Sequence, residues 1–283
     1  MNPATIAAIA GVGAAIGVGA YMNLYEQFNV RVRRLDLSFP NLPPAFDGYT
    51  LLHLSDLHLT KLGFLEKRVM KIISREEVDG CVVTGDVTAE PRASDIFRRV
   101  CSVIRHRDPI AMVLGNSEHK PWLDTDMLTQ ALTFDGLNML VNSSTTITRG
   151  HDRMVVVGVD DPYSRLAGLD AAFSGVNPND FILFLSHSAC VSPQAIGRGA
   201  DLILAGHTHG GQVRIPGLGA VWTHMRANQG LNDGLYTSAD IQRLCGIDAG
   251  HSQVFVHRGV GTSRLHIRFM CPPEIVYITL HRS

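Results

Sequence analysis

The segment Leu51-Leu52-His53-Leu54-Ser55-Asp56-Leu57-His58-Leu59 joins a short apolar run to an acid and a histidine two residues apart. The apolar run predicts a buried β-strand, and the polar pair follows at its end. A carboxylate oxygen and an imidazole nitrogen at one edge of a sheet are ligands that borderline metals accept. An Asp-x-His pair alone does not define a metal site, so the other predicted strand ends decide its meaning.

Beyond residue 49 the chain alternates between apolar strands and amphipathic helices. Such strands, separated by helices of this length, indicate βαβ crossovers and a largely parallel sheet covered on both faces. Ligands of such sheets gather beyond the carboxyl ends of the strands. The predicted strands are 50–54, 80–84 and 110–114, and the predicted helices are 64–74, 93–105 and 123–134.

The second half has more strand-like runs and fewer helices between them, which predicts a second sheet packed on the first. The runs are 145–148, 154–159, 181–185, 201–205, 212–215, 254–256, 265–269 and 275–280.

Several further strands also end in residues that could bind a metal. Gly85-Asp86 and Gly115-Asn116 follow the strands at 80–84 and 110–114. His187 follows 181–185, and Gly206-His207-x-His209 follows 201–205. His53, which lies inside its strand, is instead expected to be a hydrogen-bonded core residue.

In chain order these motifs resemble the signature of the calcineurin-like metallophosphoesterases, which is D-x-H, G-D, G-N, H and G-H-x-H. The closing stretches 258–263 and 272–275 resemble the membrane-tethered bacterial branch of that family. The resemblance implies an α/β fold, a four-layer α-β-β-α sandwich of two packed mixed sheets. It also implies a metal-dependent hydrolase acting on phosphorus-containing anhydrides or esters.

The resemblance implies two divalent metal ions, with the Asp86 carboxylate bridging them. One ion would be held by Asp56, His58, Asp86 and His209, and the other by Asp86, Asn116, His187 and His207. Mixed nitrogen and oxygen ligation favours manganese, iron or zinc over calcium, and manganese is the prediction.

The chain departs from the family pattern directly after Asn116. Many members have a histidine there that protonates the leaving group, whereas this chain has Ser117, followed by Glu118 and His119. Either His119 reaches back as a substitute, or the enzyme works without that acid. In the second case a phosphoanhydride is the favoured substrate, because a phosphate or nucleotide can leave as an anion whereas an alkoxide needs a proton.

The first residues differ in composition from the rest of the chain. Residues 1–25 carry no charge and are long enough to span a bilayer, which predicts a membrane anchor, although a cleaved or interfacial segment is the alternative. Arg31, Arg33 and Arg34 follow closely, so the positive-inside rule predicts the inner (cytoplasmic) membrane with the catalytic domain on the cytoplasmic side. The proline-rich stretch 38–44 then predicts a linker over 26–49 and a metallophosphoesterase domain over 50–283.

Composition excludes other classes of function. The formal net charge of −1 gives no basic surface, so nucleic-acid binding is not expected. The chain has 5 cysteines, which form neither a disulfide framework nor a C-x-x-C motif. A reducing compartment therefore fits best.

Membrane tethering and the missing histidine together narrow the substrate to a lipid-linked nucleotide. Members of the family that cleave UDP-2,3-diacylglucosamine, a lipid A precursor, combine these properties and yield UMP and 2,3-diacylglucosamine 1-phosphate. Arg165, Arg214 and Arg226 are candidate phosphate ligands, and residues 222–251 could cover an acyl-chain groove or form an ordinary surface insertion. The alternatives are a broad phosphodiesterase or phosphatase on lipid head groups or envelope polymers, and an inactive metal-binding scaffold. The sequence leaves the oligomeric state open.

Overall fold

A computed structural model of the chain describes residues 2–221, 223 and 230–283. In chain order the strands are β1 Arg31–Phe39, β2 Tyr49–Leu54, β3 Glu77–Val78, β4 Gly80–Thr84, β5 Arg105–His106, β6 Ile110–Val113, β7 Leu137–Met139, β8 Ser143–Arg149, β9 Asp152–Gly158, β10 Phe181–Leu185, β11 Leu202–Ala205, β12 Arg214–Ile215, β13 Gly219–Ala220, β14 Gly234–Tyr236, β15 Gln253–Val256 and β16 Glu274–Arg282. The helices are α1 Pro3–Ala20, α2 Phe64–Ile73, α3 Ser94–Cys101, α4 Thr125–Leu132, α5 Leu169–Ala172, α6 Ser192–Ile196 and α7 Ser238–Cys245.

Two six-stranded sheets form the centre of the fold. The first has the order β1-β16-β2-β4-β6-β7, and β2, β4, β6 and β7 run parallel. The second has the order β14-β15-β11-β10-β9-β8, and its four inner strands also run parallel. Antiparallel pairing of β16 with β2, and of β14 and β8 with their neighbours, makes both sheets mixed. The predicted pair of packed mixed sheets is confirmed.

The hydrophobic core consists of three clusters that separate four layers. Leu52 and Phe97 belong to the cluster between the first sheet and helices α2 to α4. Leu51 belongs to the cluster between the two sheets, because successive strand residues face opposite sides of a sheet. Phe184 and Ile241 belong to the cluster between the second sheet and α5 to α7. Burial on both faces explains why the strand sequences are almost continuously apolar.

The predicted linker over residues 26–49 is wrong for its middle part. Strand β1 pairs in parallel with β16, from Arg31 opposite Glu274 to Phe39 opposite Arg282. Leu37 and Phe39 are buried in the core between the sheets. Arg34 and Asp36 lie on its exposed face and alternate with the apolar residues, so this edge strand has the composition of a polar linker.

Two predicted strands of the second half also differ from the structure. Within the described residues, 265–269 forms no strand and joins 212–215 through one isolated bridge, between Val213 and Phe269. The run 212–215 contributes β12, which pairs with β13 in a small hairpin outside the two large sheets. An apolar run predicts a strand but does not show whether the strand will be buried in a large sheet. In this hairpin Ile215 is exposed.

The N-terminal segment forms one continuous helical element from Pro3 to Phe28, with a mean hydropathy of 1.7 over its apolar window. None of that window is buried, and its length and composition suffice to cross a membrane. At the end nearest the domain, the Arg268 amide donates to the Met22 carbonyl at 3.3 Å. The ring of Tyr21 also contacts the edge of Phe269. The helix therefore emerges beside residues 268 and 269.

Candidate metal centre

The predicted metal ligands all follow the carboxyl ends of strands, where the two sheets approach each other. Parallel strands in each sheet bring their carboxyl ends to one edge, which explains why motifs far apart in sequence meet. The residues are Asp56 and His58 after β2, Asp86 after β4, Asn116 after β6, His187 after β10, and His207 and His209 after β11.

One group of possible ligand atoms comprises Asp56, His58 and His209. The Nε2 atoms of the two histidines lie 3.1 Å apart, and His209 Nε2 lies 3.3 Å from an Asp56 carboxylate oxygen. Two ligand atoms that bind one ion at about 2.1 Å lie about 3.0–3.4 Å apart for common coordination angles. The spacing therefore fits a shared divalent ion.

The second group comprises Asp56, Asp86 and His187. The Oδ1 atom of Asp86 and the Nε2 atom of His187 lie 3.3 Å apart. His187 Nε2 also lies 3.1 Å from His207 Nδ1. The other carboxylate oxygen of Asp86 lies 3.5 Å from His58 Nε2, a member of the first group. Asp86 therefore faces both groups, as a bridging carboxylate must.

Asn116 supplies an independent indication that the site suits a cation. Its side-chain oxygen is buried and has no hydrogen-bond partner among the described residues. A buried amide oxygen without a partner is costly, and ligation of a metal would satisfy it. Asn116 lines the same cavity of about 280 Å³ as His58, Asp86, His207 and His209. The donor set and the orphaned oxygen both fit divalent metal ions.

The backbone at the ligands is strained. Asp56, His58, Asp86, His207 and His209 all have positive φ, between 45° and 72°. Each such conformation costs about 1–3 kcal/mol in a non-glycine residue and persists only where the surroundings enforce it. Strain at five ligand positions indicates that the fold holds these side chains in place before any ion binds.

Hydrogen bonds behind the ligands fix their orientation. His187 Nδ1 lies 2.8 Å from the Thr84 carbonyl and donates to it, which leaves Nε2 free to face Asp86 and His207. The Ser117 amide donates to Asp86 Oδ1 at 2.7 Å.

Glu118 is a fully buried carboxylate that joins two of the metal-binding loops. It accepts hydrogen bonds from the amides of Asp86, Val87, Thr88 and Gly115. Burial and the charge of Asp86 raise the pKa of Glu118 to about 7. Its contacts are with backbone, so Glu118 positions the Asp86 and Asn116 loops.

The buried charges of the centre depend on one another. Burial raises the pKa of Asp56. Burial would also raise the pKa of Asp86. The neighbouring His187 and His58 have the larger effect and hold the pKa of Asp86 well below its usual range. Burial would lower the pKa of His187, but the neighbouring Asp86 carboxylate has the larger effect and raises that pKa well above its usual value. Without bound metal, the acids and histidines of the centre therefore set one another's charge.

His119, predicted as a possible substitute acid, is turned away from the cluster. Its Nε2 lies 2.6 Å from Asp160 Oδ1, and its Nδ1 lies 3.5 Å from the Thr125 hydroxyl. The hydrogen bond to Asp160 raises the pKa of His119. Ser117 occupies the cavity instead, with its hydroxyl 3.5 Å from His58 Nδ1. His119 is therefore paired with Asp160 in this structure, and Ser117 is the residue of this segment that lines the metal cavity with Asn116.

The other sequence predictions have mixed outcomes. His53 is a buried core residue whose Nε2 lies 2.9 Å from the Thr84 hydroxyl, and burial lowers its pKa to about 3. Arg214 forms an ion pair with Asp233 at 3.2 Å. Arg165 is exposed, and Arg226 lies outside the described residues.

The described residues 230–251 of the predicted insertion belong to the second sheet and to the helical layer packed on it. They contribute β14 and α7, and Leu231 and Ile241 are buried in the core cluster beneath them. Trp222 and Met225, which the sequence suggested for an acyl-chain groove, lie outside the described residues.

The sequence did not indicate three charged or aromatic residues that line the metal cavity. Lys120 and Arg264 bring positive charge to the wall of the metal cavity, and Tyr163 lies against His207 with ring centroids 4.8 Å apart. Lys120 follows the Gly115-Asn116 motif closely and Arg264 follows the closing stretch 258–263. Closeness in sequence to these motifs could have indicated both residues. Whether their side chains face the cavity depends on the fold.

Arg268 is a further residue that the sequence did not indicate. It is fully buried, and its guanidinium donates to the carbonyls of Cys271, Arg258 and Gly259 at 2.9–3.1 Å. A Cβ at Gly259 would come within 3.0 Å of His209, so this loop packs tightly against a ligand. Arg268 therefore supports the loop behind His209.

Comparison with known proteins agrees with this geometry. A family model described as Calcineurin-like phosphoesterase matches residues 49–211, more than half of the chain. The chain is 26% identical over 277 residues to the uncharacterized metallophosphoesterase YkuE of Bacillus subtilis, covering 96% of this chain and 92% of the relative. It is 25% identical over 286 residues to the phosphodiesterase YaeI of Escherichia coli, covering 98% and 95%.

A third relative is the UDP-2,3-diacylglucosamine pyrophosphatase LpxG of Chlamydia trachomatis, 24% identical over 311 residues, with 90% of each chain covered. These similarities extend beyond the matched region to nearly the whole chain. The family binds two divalent metals, and the strand-end cluster provides Asp and His groups suited to them. This chain belongs to the calcineurin-like phosphoesterase family and is a metal-dependent phosphoester hydrolase.

Proposed function

We propose that the protein is a membrane-anchored hydrolase that cleaves the phosphoanhydride of UDP-2,3-diacylglucosamine. The products would be UMP and 2,3-diacylglucosamine 1-phosphate, a reaction of lipid A biosynthesis. The observation that carries the choice of an anhydride is the pairing of His119 with Asp160 while Ser117 stands at the position of the usual acid. A leaving phosphate or nucleotide departs as an anion and needs no proton from an imidazole.

The ligand assignment follows the two groups of donor atoms. Asp56, His58, Asp86 and His209 would hold one ion, and Asp86, Asn116, His187 and His207 the other. We propose manganese, with iron or zinc as alternatives that the same donors accept. Bound there, two such ions would supply a water molecule of lowered pKa as the nucleophile and would offset charge on the phosphoryl oxygens.

The chain's own residues bind and orient the substrate. Lys120 and Arg264 line the metal cavity and would pair with the phosphate oxygens that do not face the ligands. Tyr163 lines the same cavity beside His207 and provides a ring face and a hydroxyl for the nucleotide. Asn116 would contribute both as a ligand and by orienting the attacked phosphoryl group.

Membrane attachment is supported by the apolar helix from Pro3 to Phe28. The positive charges of Arg31, Arg33 and Arg34 follow its domain-side end, which favours retention of that end in the cytoplasm. We therefore propose the cytoplasmic side of the inner membrane, where a lipid-anchored nucleotide would be accessible. Similarity to LpxG, which is named a UDP-2,3-diacylglucosamine pyrophosphatase, supports the choice of this lipid as the substrate.

The direct test is product analysis with full-length, manganese-loaded protein in vesicles containing UDP-2,3-diacylglucosamine. We expect UMP and the diacylated sugar phosphate in equal amounts, and no turnover by Asp86→Ala. Absence of UMP from protein that retains bound metal would reject this substrate.

The second candidate is a phosphodiesterase or phosphatase that acts on lipid head groups or envelope polymers. It is favoured by similarity to YaeI, which is named a phosphodiesterase. Turnover of bis(p-nitrophenyl) phosphate equal to or above that of any UDP-lipid would support it. A scaffold without turnover would instead keep its cellular function after Asp86→Ala removes the metal.

A further inference from the structure

A second cavity, of about 440 Å³ and largely apolar, adjoins the metal centre. Its volume falls within the range of about 300–1,000 Å³ that ligand pockets usually have. It shares His209, Ser263 and Arg264 with the metal cavity, and its other wall residues include Gln212, Val213, Val221 and Leu265. A ligand whose phosphate lies at the metals could therefore extend an apolar part into this space.

The two segments that form this cavity carry five exposed large apolar side chains. Leu218 is 73% exposed and Leu265 is 63% exposed. Single exposed apolar residues are ordinary, but a group concentrated in two adjoining segments indicates contact with an apolar phase. We call this group the apolar rim; it consists of Ile215, Leu218, Val221, Leu265 and Met270.

The two segments that carry the rim are joined by backbone hydrogen bonds. The Arg214 amide donates to the Phe269 carbonyl at 2.9 Å, and the Phe269 amide donates to the Gln212 carbonyl at 3.0 Å. The β12–β13 hairpin and residues 265–270 consequently form one continuous surface.

The same surface contacts the end of the candidate membrane helix. Phe269 meets the ring of Tyr21 edge-on, and the Arg268 amide bonds to Met22. Glu26 is buried and accepts a hydrogen bond from the Cys271 amide at 2.7 Å, which fixes the helix end to the domain. A helix that enters a bilayer from this point brings the apolar rim close to the lipid.

We propose that the apolar cavity receives an acyl chain of a membrane-resident substrate, which enters past the apolar rim while its phosphate reaches the metal centre. The proposal rests on the proposed function for the head group, but it assigns the site of the lipid part to residues of this chain. It also makes the bilayer beside α1 the source of the substrate.

The kinetic test compares a long-chain and a soluble substrate in full-length protein in phosphatidylglycerol vesicles. Val221→Trp narrows the cavity, and Val141→Trp, at another exposed valine away from both cavities, is the matched control. We expect Val221→Trp to lower kcat/KM for the long-chain UDP-lipid about tenfold or more, since each excluded methylene loses its burial. Turnover of bis(p-nitrophenyl) phosphate should stay equal to that of the control. Equal loss on both substrates, or no loss on the lipid, would overturn the proposal.

A binding test separates this inference from the choice of head group. Vesicles containing phosphatidic acid with a photoactivatable diazirine at the acyl terminus are irradiated with the wild-type protein, and labelled peptides are identified. We expect labels in residues 211–221 and 263–270, reduced in Val221→Trp and unchanged in Val141→Trp. Such labelling without UMP formation would reject the UDP-lipid and keep the acyl site. UMP formation with labels confined to α1 would reject the acyl site alone.

Discussion

The metal centre and the apolar cavity share a wall but are built in opposite ways. The metal centre is buried, its ligands follow regular strands, and its backbone is strained at the ligands. The apolar cavity is formed by a small hairpin and a loop that expose leucine and valine side chains. The comparison teaches that this protein fixes the reacting groups rigidly in the sheets and leaves recognition of the substrate's remainder to surface loops.

The substitution with the largest expected effect changes the metal centre and leaves the apolar cavity as it is. Asp86→Ala removes the carboxylate that faces both ligand groups, so we expect loss of bound metal and a fall in kcat of about 10³-fold or more. Elemental analysis and kcat for a nucleotide substrate measure both. Asp135→Ala, at an exposed acid, should leave both values unchanged. Full metal content in Asp86→Ala would contradict the bridging arrangement.

Glu118→Gln tests whether rigidity behind the ligands matters. An amide retains one acceptor but presents an N–H group to amides that now bond to a carboxylate, so we expect a stability loss of about 1–3 kcal/mol. Metal affinity should fall by about 10–100-fold because the Asp86 and Asn116 loops lose their common support. Thermal unfolding and metal titration give these values, and Glu90→Gln at an exposed position serves as the control. Unchanged metal affinity would assign Glu118 to stability alone.

Lys120→Ala tests the wall of the metal cavity, and Arg264→Ala tests the wall that the metal cavity shares with the apolar cavity. Each removes a cation that lines the metal cavity, and we expect kcat/KM for a nucleotide substrate to fall about tenfold, mainly through KM. Lys67→Ala, an exposed lysine on α2, should show no change. A fall in kcat alone would instead indicate contact with the transition state only.

The smallest expected catalytic effect is that of His119→Gln. A general acid contributes about 10²–10⁴-fold to the rate, whereas a histidine held by Asp160 should change kcat by less than about threefold when replaced. Steady-state assays over a range of pH measure this. A loss of a hundredfold, with the alkaline limb of the pH profile altered, would restore His119 as the acid.

The same substitution has a pH-dependent effect on stability. The pKa of His119 is raised in the folded protein, so its stabilising contribution is complete below the unfolded pKa of about 6.5 and is lost as pH rises through the raised value. Unfolding measurements on wild type and His119→Gln should therefore differ more near pH 6 than near pH 9. An equal difference at both pH values would show that the Asp160 pair does not favour the charged form.

The sequence predicts the metal centre well because its determinants are local. Asp86 and Asn116 each stand directly after a strand that the apolar pattern identifies, so the fold needs only parallel pairing to bring them together. The strands over 80–84 and 181–185 have the predicted bounds for the same reason.

The remainder depends on contacts between distant segments. Strand β1 pairs with β16 near the other end of the chain, and its charged exposed face conceals the alternation of Leu35, Leu37 and Phe39. The direction of His119 depends on Asp160, which a different sheet provides. Such pairings leave no periodic signal in one sequence.

The most direct test of the account compares an anhydride with an alkyl ester at the same metal centre. Full-length, manganese-loaded protein is assayed with UDP-2,3-diacylglucosamine and with phosphatidylglycerol, whose alkoxide leaving group requires a proton. Without an imidazole acid, we predict that kcat/KM for the anhydride exceeds that for the diester by about 10²-fold or more. Hydrolysis of phosphatidylglycerol at an equal or greater rate would contradict the account.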